Sequence, residues 1–316
     1  MTQITKNPEV AAEEILKGNV VAIPTETVYG LGANALNSEA VLKIYEIKKR
    51  PFFNPLILHI ENIEKIKNYA RNISKDLLKL AEKFSPGPIT FVVSKKSIIP
   101  DIVTGGLSTV AIRIPSHKMM QKVLELTGVP IAAPSANIFG RTSPTTAKEV
   151  LEELKGKISY VLDGGKCSVG IESTIVGFFN NKVKILRPGY ITRKQIENVL
   201  KKNVELVSIH QDKILSPGQL KSHYAPNTKL YLCEDINLFR NKKDIGILDF
   251  SKFDSLKQIA LNLFSAIRKL DKKGYKFIVA ELVQNRGLGE AINDRLLRAS
   301  SGFVEIRKGG FRFFEK

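Results

Sequence analysis

The sequence predicts an α/β protein: a mixed, twisted open sheet with a large concave site, followed by a small parallel α/β domain. Three observations predict it. From residue 8 to about 200, short apolar runs alternate with amphipathic segments, the alternation that builds parallel sheets. Between residues 159 and 186, three strands follow one another after short gaps, so part of the sheet is antiparallel. Beyond about residue 228 strand and helix alternate again, in a unit of under about 100 residues.

The elements follow in order. Asn7-Pro8 opens the first helix, with Val10, Ile15 and Leu16 inward and Gly18 as its stop. Val20–Ile23 is a strand running into Pro24. After it comes a turn carrying Thr25, Glu26, Thr27 and Tyr29, with Gly30 and Gly32 behind. Ser38 caps an amphipathic helix whose stripe is Val41, Leu42, Ile44, Tyr45 and Ile47; it ends in Lys48, Lys49 and Arg50 before Pro51. Asn54-Pro55 leads to strand Leu56–Ile60, which His59 interrupts. Helices are expected at Ile63–Tyr69, Ile73–Phe84 and His117–Leu126. Ser85-Pro86-Gly87-Pro88 is a loop, and strands are expected at Ile89–Val93, Thr109–Ile114 and Pro130–Ala133. Thr146 with Glu149 and Thr192 with Gln195 form two capping boxes, opening helices that end near Leu154 and Leu200. Strands Ser159–Leu162, Ser173–Val176 and Val183–Leu186 lie between them.

Residues 1–202 are thus expected to form one domain. Residues 203–227, containing Ser216-Pro217-Gly218 and His223-Tyr224-Ala225-Pro226, lack periodicity and read as a linker. Residues 228–316 form the second domain, with strands Lys229–Leu232, Ile245–Phe250 and Phe277–Leu282 and helices Leu256–Leu270 and Leu288–Ala299.

A net charge of +18, from 49 basic and 31 acidic residues, suits a polyanionic partner such as a nucleotide or RNA. A lysine-rich solubilising surface accounts for the same number, since the lysines are spread along the chain. Two distant cysteines, Cys167 and Cys233, argue for a reducing, cytoplasmic setting and against structural zinc. The polar start and the lack of a long apolar run predict no signal peptide and no membrane span.

Two charges break apolar strands: Arg113 in VAIRIP and His59 in LILHI. A buried, unpaired guanidinium is costly, so Arg113 must meet a carboxylate, either of the protein or of a ligand. His59 reads equally as a satisfied core histidine. Hydroxyls and cations collect at further strand ends: Ser135 and Asn137 after Ala133, then Arg141–Ser143, Glu172–Thr174 and Arg187. Such a gathering is what one shared concave site requires. Neither GxxxxGK[ST] nor GxGxxG is present, nor is GxSxG or HExxH. The chemistry expected is positioning and charge stabilisation of bound reactants.

PTETVYGLG, KKRPFFNPLILHI, SPGPITFVV, VAIRIP, APSANIFGRTSPT, GIESTIV and RPG, in this order, resemble the Sua5/YrdC/YwlC family of threonylcarbamoyl-AMP synthases. SPGQLKSHYAP and DRLLRAS extend the resemblance to its two-domain form. The resemblance implies a YrdC-like catalytic domain and a Rossmann-like C-terminal domain. It implies condensation of L-threonine, bicarbonate and ATP to threonylcarbamoyl-AMP with release of pyrophosphate, and Mg2+ accompanying ATP. The product serves modification of adenosine 37 in tRNAs that read ANN codons, so tRNA and downstream threonylcarbamoyl-transfer enzymes are implied partners. By matched motif, Thr27, His59, Arg113, Ala133 and Ser173 would hold L-threonine. Lys48, Arg50, Asn54, Thr109, Ser135, Ser143 and Arg187 would line the ATP site, and Tyr224 would close over the nucleotide from a linker acting as a lid. No metal ligand is assigned, and the base that deprotonates the amine is left between His59 and water or bicarbonate. Gln219-Leu220-Lys221-Ser222 departs from the Met and aromatic that many relatives carry there. The competing readings are a non-catalytic RNA-binding module and a carbamoyl transferase using carbamoyl phosphate.

Overall fold

A computed structural model of the chain describes residues 1–179, 182–207, 217, 223–307 and 310–316. Twelve strands form the first sheet: β1 (Gln3–Thr5), β2 (Val21–Ile23), β3 (Gly30–Asn34), β4 (Ile57–His59), β5 (Ala70–Arg71), β6 (Ile89–Lys95), β7 (Thr109–Arg113), β8 (Ile131–Ala132), β9 (Tyr160–Leu162), β10 (Thr174–Phe179), β11 (Lys182–Arg187) and β12 (Glu205–Leu206). Their spatial order is β1-β9-β2-β3-β8-β4-β7-β6-β10-β11-β12, with β5 against β6. Parallel pairs such as β4–β7 and β6–β10 alternate with antiparallel ones such as β2–β3 and β6–β7. The antiparallel pairing expected between residues 159 and 186 is β10–β11.

Helix α1 (Pro8–Leu16) starts as predicted, with Asn7 Oδ1 accepting from Glu9 N–H. Its buried stripe is Ala11, Ala12 and Ile15, which turns Leu16 outward, against expectation. In α2 (Ser38–Lys48) the cap is Asn37, not Ser38, because Asn37 Oδ1 accepts from both Glu39 and Ala40. Leu42 likewise faces solvent; the inward row is Ala40, Val41, Ile44, Tyr45 and Lys48. Gly30 and Gly32 lie in β3 and not in a turn. A Cβ on Gly32 would come within 2.7 Å of Ile23 Cδ1 on the paired strand, so glycine permits the close approach.

The first sheet extends past residue 202: β12, inside the expected linker, pairs parallel with β11. Residues 208–216 and 218–222 of that linker lie outside the described residues.

The second sheet contains β13 (Leu230–Leu232), β14 (Ile245–Leu248), β15 (Phe277–Ala280), β16 (Gly302–Arg307) and β17 (Gly310–Glu315), in the order β14-β15-β13-β16-β17. It is parallel up to β16, as predicted, and ends in an antiparallel β16–β17 hairpin that was not. An apolar cluster runs across both domains. Val28, Val169 and Ile171 of the first pack with Leu263, Phe264, Ile292 and Leu296 of the second. The approach is close: a Cβ on Gly170 would lie 2.4 Å from Leu261 Cα. Gly170 also has φ +84°, so two independent constraints select glycine there.

Candidate active site

The cavity opens at the ends of β4 and β7, under the turn after β2 and the loop after β8. Hydroxyl geometry sets the turn. Thr25 Oγ1 donates to Val28 O at 2.6 Å and lies 2.9 Å from Thr27 Oγ1. The loop after β8 is strung along it, with Leu31 N–H to Pro134 O and Ala136 N–H to Tyr29 O. Thr27 and Ala133 both line the cavity.

His59 and Arg113 are register partners on β4 and β7 and meet at its floor. Arg113 Nη1 donates to Thr27 Oγ1 at 2.8 Å. Its Nη2 lies 2.7 Å from Glu26 Oε1. That contact is an ion pair whose N–H is not aimed at the oxygen, and neither atom has a hydrogen bond. The carboxylate that the buried arginine required is thus Glu26 of the protein, and an Arg113 N–H remains for a ligand. His59 Nδ1 is buried without a partner. Burial, then the Arg113 charge, lowers its pKa to about 3, so the ring is neutral.

Ser173 is buried behind this cluster: its Oγ lies 2.7 Å from Thr90 Oγ1 and accepts from Arg187 Nη2 at 3.2 Å. It does not line the cavity.

Four of the residues assigned to ATP line the same cavity: Arg50, Ser135, Arg187 and Tyr224. Arg50 is held from behind. It donates through Nε to Asn54 O and through Nη2 to Asn54 Oδ1 at 2.6 Å and Pro55 O at 2.8 Å. Burial brings its pKa down to about 10, so it stays charged. Asn54 therefore orients Arg50 and does not itself reach the cavity.

Lys48 differs from expectation. Its Nζ donates to the Ser135 and Asn137 carbonyls at 2.5 and 2.6 Å, and it holds the loop after β8 without lining the cavity. Burial and the neighbouring Arg50 push its pKa well down. Ser143 is also drawn aside, donating to Glu172 Oε1 at 2.6 Å. Thr109 shares the sheet face of Arg113 but stands at the far end of β7, opposite Ser94 and outside the lining.

Pro217, His223 and Tyr224 complete the wall. Tyr224 has φ +67°, an uncommon conformation for a bulky residue, and its ring stacks on Phe264 with centroids 5.4 Å apart. Burial holds His223 neutral, with Arg50 and Lys48 adding to the effect.

Sequence reasoning missed Glu26, Glu172 and His223. All three lie inside motifs it quoted; for the two acids, an acid beside arginines in those motifs was the available signal.

One stability result follows from these neutral histidines. His59 titrates near 3 when folded and near 6.5 when unfolded. Between those values the unfolded chain holds the extra proton, so stability is full above about 6.5 and is lost as pH falls towards 3. At pH 5 the loss from one such group is about 2 kcal/mol. His223 acts in the same direction. Thermal melts from pH 7.5 to 5 should show a falling midpoint, with a shallower slope in His59→Gln; an unchanged slope in that variant would contradict the burial argument.

The sheet-end cavity places Arg113, paired with Glu26, beside two further buried cations, Arg50 and Arg187, in an α/β fold, an arrangement suited to anionic groups. The chain belongs to the Sua5/YrdC/YwlC family. The family model described as telomere recombination matches residues 13–189, and that described as threonylcarbamoyl-AMP synthase, C-terminal domain, matches 191–301. The chain is 40% identical to the threonylcarbamoyl-AMP synthase of Pyrococcus abyssi, over 92% of this chain and 93% of that protein. It is 38% identical to that of Bacillus subtilis, over 95% of each. The crystal structure of P. abyssi Sua5 complexed with L-threonine superposes with a TM-score of 0.89 at 37% identity, covering 96% of this chain and 99% of that one.

Proposed function

We propose that this protein is a threonylcarbamoyl-AMP synthase, a nucleotidyltransferase that condenses L-threonine, bicarbonate and ATP and releases pyrophosphate. The observation that carries the reading is the junction of two subsites in one cavity: Arg113, Thr27 and His59 at its floor, Arg50 and Arg187 on its wall. The threonine carboxylate takes the free N–H of Arg113, and its neutral amine forms an N–C bond to CO2, or to bicarbonate as the C–OH bond breaks and the hydroxyl leaves as water. The carbamate oxygen that forms attacks the α-phosphorus, the α–β bridge bond breaks, and pyrophosphate leaves toward the cations. The amine proton passes to water or a bicarbonate-derived base, because an imidazole whose conjugate acid titrates near 3 is a weak base at neutral pH.

Mg2+ enters with ATP. The residues here do not fit a protein-held ion: among the described residues no three His, Cys, Asp or Glu cluster as ligands. Glu172, which lines the cavity, and Glu26, buried against Arg113, are both engaged by arginine. The product supplies adenosine-37 modification of tRNAs reading ANN codons, with tRNA or transfer enzymes as partners. The unpaired Cys167 and Cys233 support a cytoplasmic setting. No described helix is long and apolar enough to cross a membrane.

Pyrophosphate release from ATP is the test. The expected result is release that depends on both threonine and bicarbonate. Release with neither, or no release, would sink the reading. Release driven by carbamoyl phosphate would favour the carbamoyl transferase, and RNA binding without turnover the RNA module.

A further inference from the structure

The second domain packs a buried cation behind the cavity wall. Arg295, in the helix Leu288–Ala299, has 0% of its surface exposed. Its Nε donates to Glu172 Oε2 at 2.9 Å, and Nη1 donates to Pro188 O at 2.9 Å and Asp294 Oδ2 at 2.7 Å. Its guanidinium carbon lies 5.4 Å from the centre of the Tyr224 ring. Asp294 in turn accepts from Arg298 Nε at 3.0 Å. With Ser143 on its other oxygen, Glu172 has both oxygens occupied.

Arg187 shares the cavity wall with Glu172. It donates through Nε and Nη2 to Ser173, and no carboxylate among the described residues forms a salt bridge with it. Ser173, which holds Arg187, is the residue directly after Glu172, so the acid and the cation stand on adjoining parts of the same wall. Where water is excluded, such an acid and such a cation attract strongly.

We propose that Arg295 is a positioning residue of the nucleotide subsite: by engaging Glu172 across the domain interface, it keeps Arg187 open for a ligand phosphate. This rests on the synthase reading, which makes that ligand ATP. The C-terminal domain then completes the site without touching substrate. Without Arg295, Glu172 loses the partner on its Oε2, and pairing with Arg187 on the same wall would set it in competition with the phosphate.

The test is calorimetric titration of the full chain with ATP and, separately, with L-threonine, comparing wild type, Arg295→Met and Glu172→Gln/Arg295→Met. In Arg295→Met the ATP Kd should rise at least tenfold while the threonine Kd stays within about threefold. The double variant should return the ATP Kd to within fivefold of wild type, a rescue that a merely structural role would not give. An unchanged ATP Kd in folded Arg295→Met, or a double variant no better than the single, overturns the proposal. If Arg295→Met does not fold, the double variant decides alone, because removing both members of a buried pair is often tolerated. Less than a fivefold rise over wild type then supports the proposal, and more overturns it. Wild type that binds ATP but releases no pyrophosphate would defeat the synthase reading while this comparison still stands.

Discussion

Arg113→Ala is expected to abolish the use of L-threonine while leaving ATP bound. Arg113 closes the floor of the cavity, and its guanidinium is held in plane by Thr27 Oγ1 and the Gly87 carbonyl. A carboxylate arriving there meets a fixed charge with a spare N–H, at little ordering cost. A charge-assisted bond of this kind contributes about 1.5–3 kcal/mol, so losing it weakens threonine by about ten- to a hundredfold. The same change strands Glu26, which is buried against Arg113. Breaking a buried pair from one side costs about 3–5 kcal/mol, so the variant should also melt earlier. Arg113→Lys separates the two effects: it keeps a cation near Glu26 and recovers part of the stability, but it lacks the planar fork and should still bind threonine poorly. Titration of each folded variant with threonine and ATP is the measurement. Wild-type threonine affinity in either would show that Arg113 serves only Glu26.

How much was legible in the sequence depends on how local the determinant is. The capping boxes at Thr146 and Thr192 are contained within four residues, and both formed as read. Strands of two or three residues, such as β1, β5 and β12, are too short to show an alternation, and they form because neighbours offer unpaired edges. Glycine-rich β3 carries the composition of a turn; only its tertiary packing against Ile23 makes it a strand. The β16–β17 hairpin did carry a signal in the sequence, alternation on both sides of Gly309-Gly310. At the site, residues that break a pattern were legible: a charge in an apolar strand, as with Arg113 and His59, must have a purpose. Which acid each arginine chooses was not. Glu26 is 87 positions from Arg113 and Glu172 is 123 from Arg295, and neither pairing leaves a trace in local spacing.

The cationic run after α2 gives the second large effect, and the structure divides what the sequence treated as one. Arg50→Ala should weaken ATP by about ten- to a hundredfold with threonine binding little changed, because the lost group is a cavity-facing charge aimed by Asn54 and Pro55. Lys48→Met should act differently. Its amine is the donor for two buried carbonyls, Ser135 O and Asn137 O. Ser135 O keeps the Asn137 N–H, but Asn137 O loses the amine, and a buried carbonyl left without its donor costs about 1–3 kcal/mol, so the loss appears first as stability. The loop it releases carries Ala133 and Ser135, which face both subsites. Lys48→Met should therefore lower threonine and ATP affinity together, by less than Arg50→Ala lowers ATP alone. Lys48→Arg, which keeps the charge but cannot fit a planar fork into the pocket of an ammonium, should behave like Lys48→Met. Melts and paired titrations on the three variants distinguish the roles. If Lys48→Met loses ATP affinity alone and keeps its melting temperature, Lys48 contacts phosphate directly and the loop-holding role is wrong. If Arg50→Ala binds ATP normally, the run is a buried helix end and the phosphates lie elsewhere along the wall.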